Sequence, residues 1–212
     1  IMPLISLKLK STLPLYKGID MKLIKCALIS LPLLLSAHYV TASQVYNIDE
    51  VNKMSVNDYE KTFSNIFEDT TWPIVESASK RPFTGFVNMY IDLVNVVEKS
   101  GAEKQLELIK SHPQLACKNL RNNNIAALSQ GEQSGAGLNE CTVEEAKELA
   151  KLNKEYNEKF GFPFLLAVKK ATKQQIFSSL KTRINNTRDL EFKIALQQEY
   201  KIILFRLLDT VQ

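Results

Sequence analysis

Helical spacing of apolar residues runs from Val45 to the C-terminus and restricts the folds open to this chain. The clearest stripe repeats every three or four residues and stops at Ser100-Gly101. Its members are Phe86, Met89, Tyr90, Leu93, Val96 and Val97. Such spacing puts apolar side chains on one helix face. Phe162–Val168 is the sole strand-like run, and one short run cannot form a sheet. The sequence therefore predicts an all-α fold, a single-domain multi-helix bundle.

Polar residues mark several helix boundaries. Ser55, with an acid three residues later, resembles a capping box and predicts a helix start, and we expect Pro73 to end that region. Asn186 and Asp189 are expected to cap a last long helix that runs to Leu208.

Residues 1–43 differ from the rest and are predicted to be an N-terminal leader. After Met21, Lys22 and Lys25 form a basic start, an apolar core follows, and small residues lead up to Ala42. This order is typical of an export signal, so we predict a signal peptide at 21–42 and a helical domain at 44–212. The mature protein would then be exported, either periplasmic or secreted.

The alternative for the leader is a buried first helix, which would leave the protein intracellular. Pro32 in the middle of the apolar run and the basic flank argue against it. The run is also shorter than the roughly 20 residues that a bilayer-spanning helix needs. We therefore expect no stable membrane span in the mature form.

Charge separates the leader from the domain. Five of the 27 Lys and Arg residues and one of the 23 Asp and Glu residues precede Ser43, which leaves 22 of each sign. The basic excess therefore belongs to the leader. The remainder has no stripe of basic residues with interleaved aromatics, so we expect no nucleic-acid partner.

Cysteine and histidine usage argues against a metal site. The domain has Cys117 and Cys141, without CxxC spacing, and a single histidine, His112. A structural zinc site needs more ligands than that, so no metal is expected. If the protein is exported the two cysteines could pair, but two unrelated buried thiols is the default interpretation.

His112-Pro113 is the first candidate for chemistry. Proline favours the first position of a helix, so we expect the imidazole at a helix N-terminus, where the dipole disfavours its charged form. A neighbouring Glu132 carboxylate would act in the opposite direction. Either balance leaves a group that exchanges protons near neutral pH. The alternative is a histidine that only satisfies backbone groups at a cap.

Three polar residues form the second candidate. Ser129, Glu132 and Gln133 share one helix face, and together they suit a small substrate rich in urea-like groups. A solvated helix face that ends in a glycine turn is the alternative. Arg206 lies on an apolar stretch, where a cation needs a partner. A substrate carboxylate is one possible partner, and a structural Glu or Asp is the commoner one.

These segments together resemble the OHCU decarboxylases, enzymes of urate breakdown. The family pattern is His-Pro-x-Leu, Ser-x-x-Glu-Gln-x-x-Ala-Gly-Leu, Leu-Asn-x-x-Tyr-x-x-Lys-Phe-Gly-Phe-Pro-Phe and a late Asn-x-x-x-x-Glu. The counterparts here are His112–Leu115, Ser129–Leu138, Leu152–Phe164 and Asn186–Glu191. Gln114 departs from the Asp of many members. The resemblance covers Ile48 to Asp209.

The resemblance implies cofactor-free conversion of 2-oxo-4-hydroxy-4-carboxy-5-ureidoimidazoline (OHCU) to (S)-allantoin by a homodimer. His112 would be the acid/base group, Glu132 would hold it together with the substrate hydroxyl, and Arg206 would bind the anionic substrate. The remaining implied contacts to this small-molecule substrate are Pro113, Ser129, Gln130, Gly131, Gln133, Phe164, Leu165, Leu166, Ala167 and Val168.

Two other functions are compatible with the residues. One is a non-catalytic helical binding module, although such a module has no need of His112, Glu132 and Gln133 at this spacing. The other is hydrolysis of a related ureido compound with His112 as the base.

Overall fold

The computed structural model describes residues 44–122 and 124–212, and helices dominate them. Nine α-helices lie in this described part: α1 Ile48–Lys53, α2 Val56–Phe63, α3 Trp72–Ala78, α4 Phe86–Lys99, α5 Ala102–Ser111, α6 Ala127–Gln133, α7 Val143–Phe160, α8 Lys173–Arg183 and α9 Arg188–Leu208. Short 3₁₀ turns occupy Ser64–Phe67 and Lys118–Leu120, and a π-helical segment occupies Ser134–Leu138. A single parallel bridge, Tyr46 to Val211, is the one strand-type pairing among the described residues. The all-α prediction is confirmed.

Helix α9 lies at the centre of the bundle. It contacts α4, α5, α7 and the 3₁₀ turn at Ser64–Phe67. Its buried residues are Glu191, Ala195, Leu196, Glu199, Ile202, Ile203, Arg206 and Leu207. The leucines and isoleucines among them each contribute roughly 1.5–3 kcal/mol by leaving water. The charged members are stable in such a core only with partners of opposite charge. The buried face of α9 therefore requires ion pairs at the centre of the fold.

Two predictions about the first helices have different outcomes. Ser55 is the N-cap of α2, and its Oγ accepts a hydrogen bond from the backbone N–H of Asp58 at 3.1 Å, which confirms the predicted start. The prediction that Pro73 ends a helix is wrong, because Pro73 lies in the first turn of α3. A proline is tolerated there because the first turn has no backbone acceptor for its missing N–H.

The start of α9 also differs from the prediction. Thr187 is the N-cap, and its Oγ1 accepts a hydrogen bond from the backbone N–H of Leu190 at 3.4 Å. Asn186 instead donates from its side chain to Glu191 at 2.7 Å, and Asp189 lies within the first turn. Asn186 is therefore committed to a carboxylate of α9 rather than to its backbone.

Cys117 and Cys141 form a disulfide with their Cα atoms 5.9 Å apart. The default interpretation of two unrelated thiols is wrong. The bond joins the start of one 3₁₀ turn to the residue just before the cap of α7, and the chain between them contains all of α6. The fold thus closes a covalent loop around the helix that carries Ser129 and Glu132.

The predicted leader and signal peptide, residues 1–43, lie outside the described residues. Among the described helices, none is both long enough and apolar enough to cross a membrane.

Candidate active site

His112 ends a helix rather than starting one. It is the C-cap residue of α5, with an extended backbone at φ −71° and ψ 136°. The prediction of a helix N-terminus is wrong because a proline clashes with a helical conformation in the residue before it, so Pro113 forces His112 out of the helix. The dipole therefore acts with the opposite sign, since the negative end of α5 favours the charged imidazolium.

Two carboxylates flank the imidazole. Nε2 of His112 lies 2.5 Å from Oε2 of Glu199, and Nδ1 lies 3.5 Å from Oε1 of Glu68. All three side chains are buried, and that of His112 is 3% exposed. Burial alone would lower the pKa of His112, but Glu199 and then Glu68 outweigh it and raise the pKa to about 9. His112 is an imidazolium at neutral pH in this environment.

Glu68 is held by a second cation. It follows the 3₁₀ turn Ser64–Phe67 with φ at 53°, in the left-handed region that non-glycine residues seldom adopt. Its Oε1 accepts hydrogen bonds from Nη2 of Arg206 at 2.5 Å and from the hydroxyl of Ser129. Burial acts to raise the pKa of Glu68, but His112, Arg206 and Ser129 together hold it at about 2. This carboxylate is therefore ionised throughout the physiological range.

Arg206 connects the site to α6. Its Nε and Nη2 donate to the two oxygens of Glu132 at 3.0 and 2.9 Å, and its Nη1 donates to the carbonyls of Asn65 and Ile66 at 3.2 Å each. Burial opposes its charge, yet Glu132 and Glu68 raise the pKa of Arg206. The partners of this buried cation are therefore structural carboxylates, Glu132 and Glu68, rather than a substrate carboxylate. This is the commoner of the two possibilities that the sequence left open.

Glu132 does not hold the imidazole, contrary to the expectation drawn from the resemblance. Its carboxylate is committed to Arg206, and the carboxylates beside His112 are Glu68 and Glu199. The reason is geometric, since α6 presents Glu132 toward α9 while His112 projects from the end of α5.

Ser129 and Gln133 lie buried on the inner face of α6. The Gln133 amide spans the extended segment after His112, because its Oε1 accepts from the backbone N–H of Ala116 at 3.0 Å and its Nε2 donates to the carbonyl of Gln114 at 3.3 Å. Gln130 and Gly131 are exposed on the other side of the helix. Helical spacing separates them from the site, although all four residues are near neighbours in sequence.

Residues 164–168, after α7, form an apolar wall of the site. Side chains of α8 and α9 hold its backbone: Nη1 of Arg183 binds the carbonyl of Leu165 at 2.8 Å, and Oε1 of Gln198 accepts from the N–H of Ala167 at 3.2 Å. Arg183 is in turn paired with Glu191 at 2.5 Å. The Ala167 N–H is thus occupied by a side chain.

One small cavity collects most of the predicted residues. Its lining is Glu68, His112, Pro113, Leu115, Ser129, Glu132, Gln133, Phe164, Leu165, Leu166, Val168, Ile202 and Arg206. The predicted residues that do not line it are Gln130, Gly131 and Ala167. Larger grooves occur elsewhere among the described residues, but their linings contain neither an imidazole nor a buried charged side chain. The small cavity is therefore the site with chemical capability.

Sequence reasoning missed Glu68 and Glu199. Glu199 carries a usable signal, because it lies on the apolar stripe of α9 two turns before Arg206 and a buried acid there requires a partner. Glu68 carries no comparable signal. Across the described ranges 44–122 and 124–212, no three His, Cys, Asp or Glu side chains are arranged to hold a metal ion.

Comparison with known proteins places this site in a family. The model for OHCU decarboxylase matches residues 52–208. This chain belongs to the OHCU decarboxylase family. The match covers every cavity residue from Glu68 to Arg206, and it also covers Glu199 beside His112.

Individual relatives share the same region. The chain is 39% identical over 160 residues to the uric acid degradation bifunctional protein of Bacillus sp. (strain TB-90), an alignment covering 76% of this chain and 31% of that protein. It is 31% identical over 165 residues to the OHCU decarboxylase of Amia calva, covering 77% of this chain and 93% of the relative. The chain thus spans about a third of the Bacillus bifunctional proteins that it matches.

A solved structure shares the fold. The crystal structure of (S)-allantoin synthase superposes with a TM-score of 0.62 at 24% identity, covering 78% of this chain and 54% of that one. At this identity the likeness concerns the helical arrangement alone.

Proposed function

We propose that this protein decarboxylates OHCU to (S)-allantoin without a metal or organic cofactor. The observation that carries the proposal is the environment of His112: a buried imidazole in the cavity of an OHCU decarboxylase family member, kept protonated by acids on both sides. A protonated imidazole beside an enclosed substrate is the group that a decarboxylation needs.

The reaction breaks the bond between the ring and its carboxylate. Carbon dioxide leaves, the electron pair of that bond passes into the adjacent ring system, and one proton must be returned to the ring. His112 donates that proton as a general acid and recovers one from solvent after product leaves. Because the imidazole approaches the bound ring from one side, the proton is added on one face, which accounts for a single enantiomer.

The apolar wall supports loss of the charged carboxylate. Phe164, Leu166, Val168 and Ile202 line the cavity. A substrate carboxylate placed against these residues loses its hydration, which raises its free energy. Carbon dioxide is neutral, so the product of the step does not depend on that hydration. The wall therefore favours the product side of the bond-breaking step.

The polar lining orients the substrate. The N–H groups of Arg206 are already bound to Glu132, Glu68, Ser129 and two backbone carbonyls, so Arg206 acts on the substrate anion through its charge alone. Glu132, in the same lining, can accept from the substrate hydroxyl. Gln133 already uses one donor and its acceptor oxygen on the segment after His112, which leaves its second N–H for a ring or ureido carbonyl. Ser129 lies in the same lining, where its hydroxyl donates to Glu68 and accepts from Arg206.

The test adds purified protein to freshly made urate-oxidation product and follows the circular dichroism of allantoin and the release of carbon dioxide. We expect both signals to appear together. Release of ammonia without carbon dioxide would instead establish a hydrolase of a ureido compound. Binding of allantoin with no turnover would establish a non-catalytic module.

We further propose that the protein is exported. The Cys117–Cys141 disulfide supports this, since such bonds persist mainly in oxidising compartments. Sequencing the N-terminus of native protein tests it: a start near Ser43 is expected, and an intact leader on protein from inside the cell would contradict it.

We also propose a homodimer, which rests on the family resemblance. Light scattering on the purified protein tests the assembly. A mass of twice the chain is expected across micromolar concentrations, and a single-chain mass at all of them would contradict it.

A further inference from the structure

Glu199 contacts the imidazole of His112 from α9. Its side chain is fully buried on α9 between turns that carry Ala195 and Ile202. It is not part of the cavity lining, whereas His112 and Glu68 are. Glu199 therefore touches the imidazole without reaching the space where a substrate would bind.

Among the described residues, the carboxylate of Glu199 has one charged partner. Nε2 of His112 lies 2.5 Å from Oε2, and neither oxygen accepts a well-aligned hydrogen bond from any group in the described ranges. A buried carboxylate that gains no hydrogen bonds is costly, and the cost is offset only by a nearby positive charge. Within the described part of the chain, the imidazole of His112 is the group placed to supply that charge.

Glu68 cannot serve in the same way. Its carboxylate is shared with Arg206 and Ser129, and its Oε1 lies at the longer distance of 3.5 Å from Nδ1. The charged groups around the imidazole are thus Glu199 from α9 and Glu68 from the turn after Phe67, with Arg206 joined to Glu68. Of these two acids, Glu68 shares its negative charge with Arg206, whereas His112 is the only charged partner of Glu199 among the described residues.

We propose that Glu199 is the positioning residue of the site: it binds the Nε2 edge of His112, fixes the ring orientation and keeps the ring protonated, so that Nδ1 faces the cavity. This inference rests on the proposed function in that it makes the Nδ1 proton the one delivered to the substrate. After product leaves, a proton from solvent restores the Nδ1–H through the cavity, and Glu199 keeps its contact with Nε2 throughout.

Nuclear magnetic resonance of the full chain tests the positioning directly. The sequence has two histidines, so a His38→Gln variant assigns the signals of His112 in a ¹⁵N-labelled sample. We expect two protonated ring nitrogens at pH 7 in the wild-type protein. A neutral ring with a single N–H at that pH would overturn the proposal, and this test needs no substitution at the site.

Variants of Glu199 separate its charge from its size. Glu199→Gln should lower the pKa of His112 by roughly 1–3 pH units, because one flanking charge is lost, and Glu199→Asp should lower it less. Glu191→Gln is the matched control, since Glu191 is an equally buried acid on α9 that pairs with Arg183. It should leave the His112 titration unchanged even if stability falls. An unchanged titration in Glu199→Gln would overturn the proposal.

Steady-state kinetics distinguish positioning from a purely structural role, because positioning affects kcat without affecting KM. Glu199→Gln should lower kcat by about 10- to 100-fold with KM nearly constant, less than the full 10²–10⁴ of a general acid. A raised KM with unchanged kcat would contradict positioning. If wild-type protein shows no decarboxylation, the proposed function fails, while the His112 titration still decides the role of Glu199.

Discussion

Arg206 binds Glu132 through two hydrogen bonds, from Nε to Oε1 at 3.0 Å and from Nη2 to Oε2 at 2.9 Å. The planar guanidinium matches the carboxylate in this arrangement, and the same Nη2 also reaches Glu68 at 2.5 Å. One side chain of α9 thereby joins α6 to the turn after Phe67. These are two of the segments that surround the imidazole of His112.

Arg206→Lys should impair both activity and stability. Lysine keeps the charge but has a single ammonium, which cannot span two carboxylates as the guanidinium does. We expect kcat/KM to fall about 10²-fold, the cost of one preorganised donor. Steady-state kinetics and urea unfolding measure the two effects. Arg188→Lys, an exposed change at the start of α9, is the control. Wild-type kinetics in Arg206→Lys would exclude Arg206 from the site.

His112→Gln should lose activity by roughly 10²–10⁴, the contribution of a positioned general acid. It should also unfold more easily, since Glu199 and Glu68 would then face an uncharged amide. Assays well below the melting temperature separate the two effects. His38→Gln, at the other histidine of the chain, should remain fully active. Turnover at the wild-type rate in His112→Gln would remove His112 from the mechanism.

The sequence determined the members of the site better than their contacts. Helical spacing on α6 is sufficient to bring Ser129, Glu132 and Gln133 to one side, and the single histidine of the domain, the proposed proton donor, does line the cavity. Which acid contacts that histidine is a tertiary property. It depends on where α5 ends relative to α9, and local periodicity contains no information on that.

The two acids beside His112 illustrate the difference. Glu199 is predictable in principle, because it occupies the same buried stripe of α9 as Arg206. Glu68 is brought to the site by a backbone turn with φ at 53°, which no motif in its neighbourhood indicates. The predicted direction of the helix dipole at His112 was also wrong. Pro113 is compatible with a helix start, but it equally excludes a helical conformation in the residue before it.

Stability should depend on pH in a predictable direction. The pKa of His112 is raised from 6.5 to about 9, so its contribution is complete below pH 6.5 and is lost as pH rises toward 9. The pKa of Glu68 is lowered from 4.5 to about 2, so its contribution is complete above pH 4.5 and is lost toward pH 2. We expect the free energy of unfolding to be highest between these limits.

Urea unfolding at a series of pH values measures this dependence. Between pH 6.5 and 9 the decrease should be on the order of 3 kcal/mol in wild type. His112→Gln should lack most of it. An equal decrease in both proteins would assign the dependence to other groups.

Activity should survive removal of metal ions. Proton donation by His112 needs no Lewis acid, and in the part of the chain that the structure describes no set of three His, Cys, Asp or Glu side chains is placed to bind a metal. Dialysis against a chelator followed by the allantoin assay measures this. Activity that disappears and returns on adding one metal would overturn the prediction.

Removing the Cys117–Cys141 disulfide should destabilise the protein and loosen α6. The bond closes a loop with a sequence separation of 24 residues, and restricting such a loop in the unfolded chain stabilises the native state by about 3 kcal/mol. The double variant Cys117→Ala/Cys141→Ala should therefore unfold at lower urea. Its kcat/KM should fall as well, because Ser129 and Glu132 lie on the helix inside the loop. Added reductant should lower the stability of wild type and leave the double variant unchanged. Thiol counting in denaturant without reductant provides the direct check: full-length wild type should show one free thiol, that of Cys26, and three would mean that the disulfide does not form.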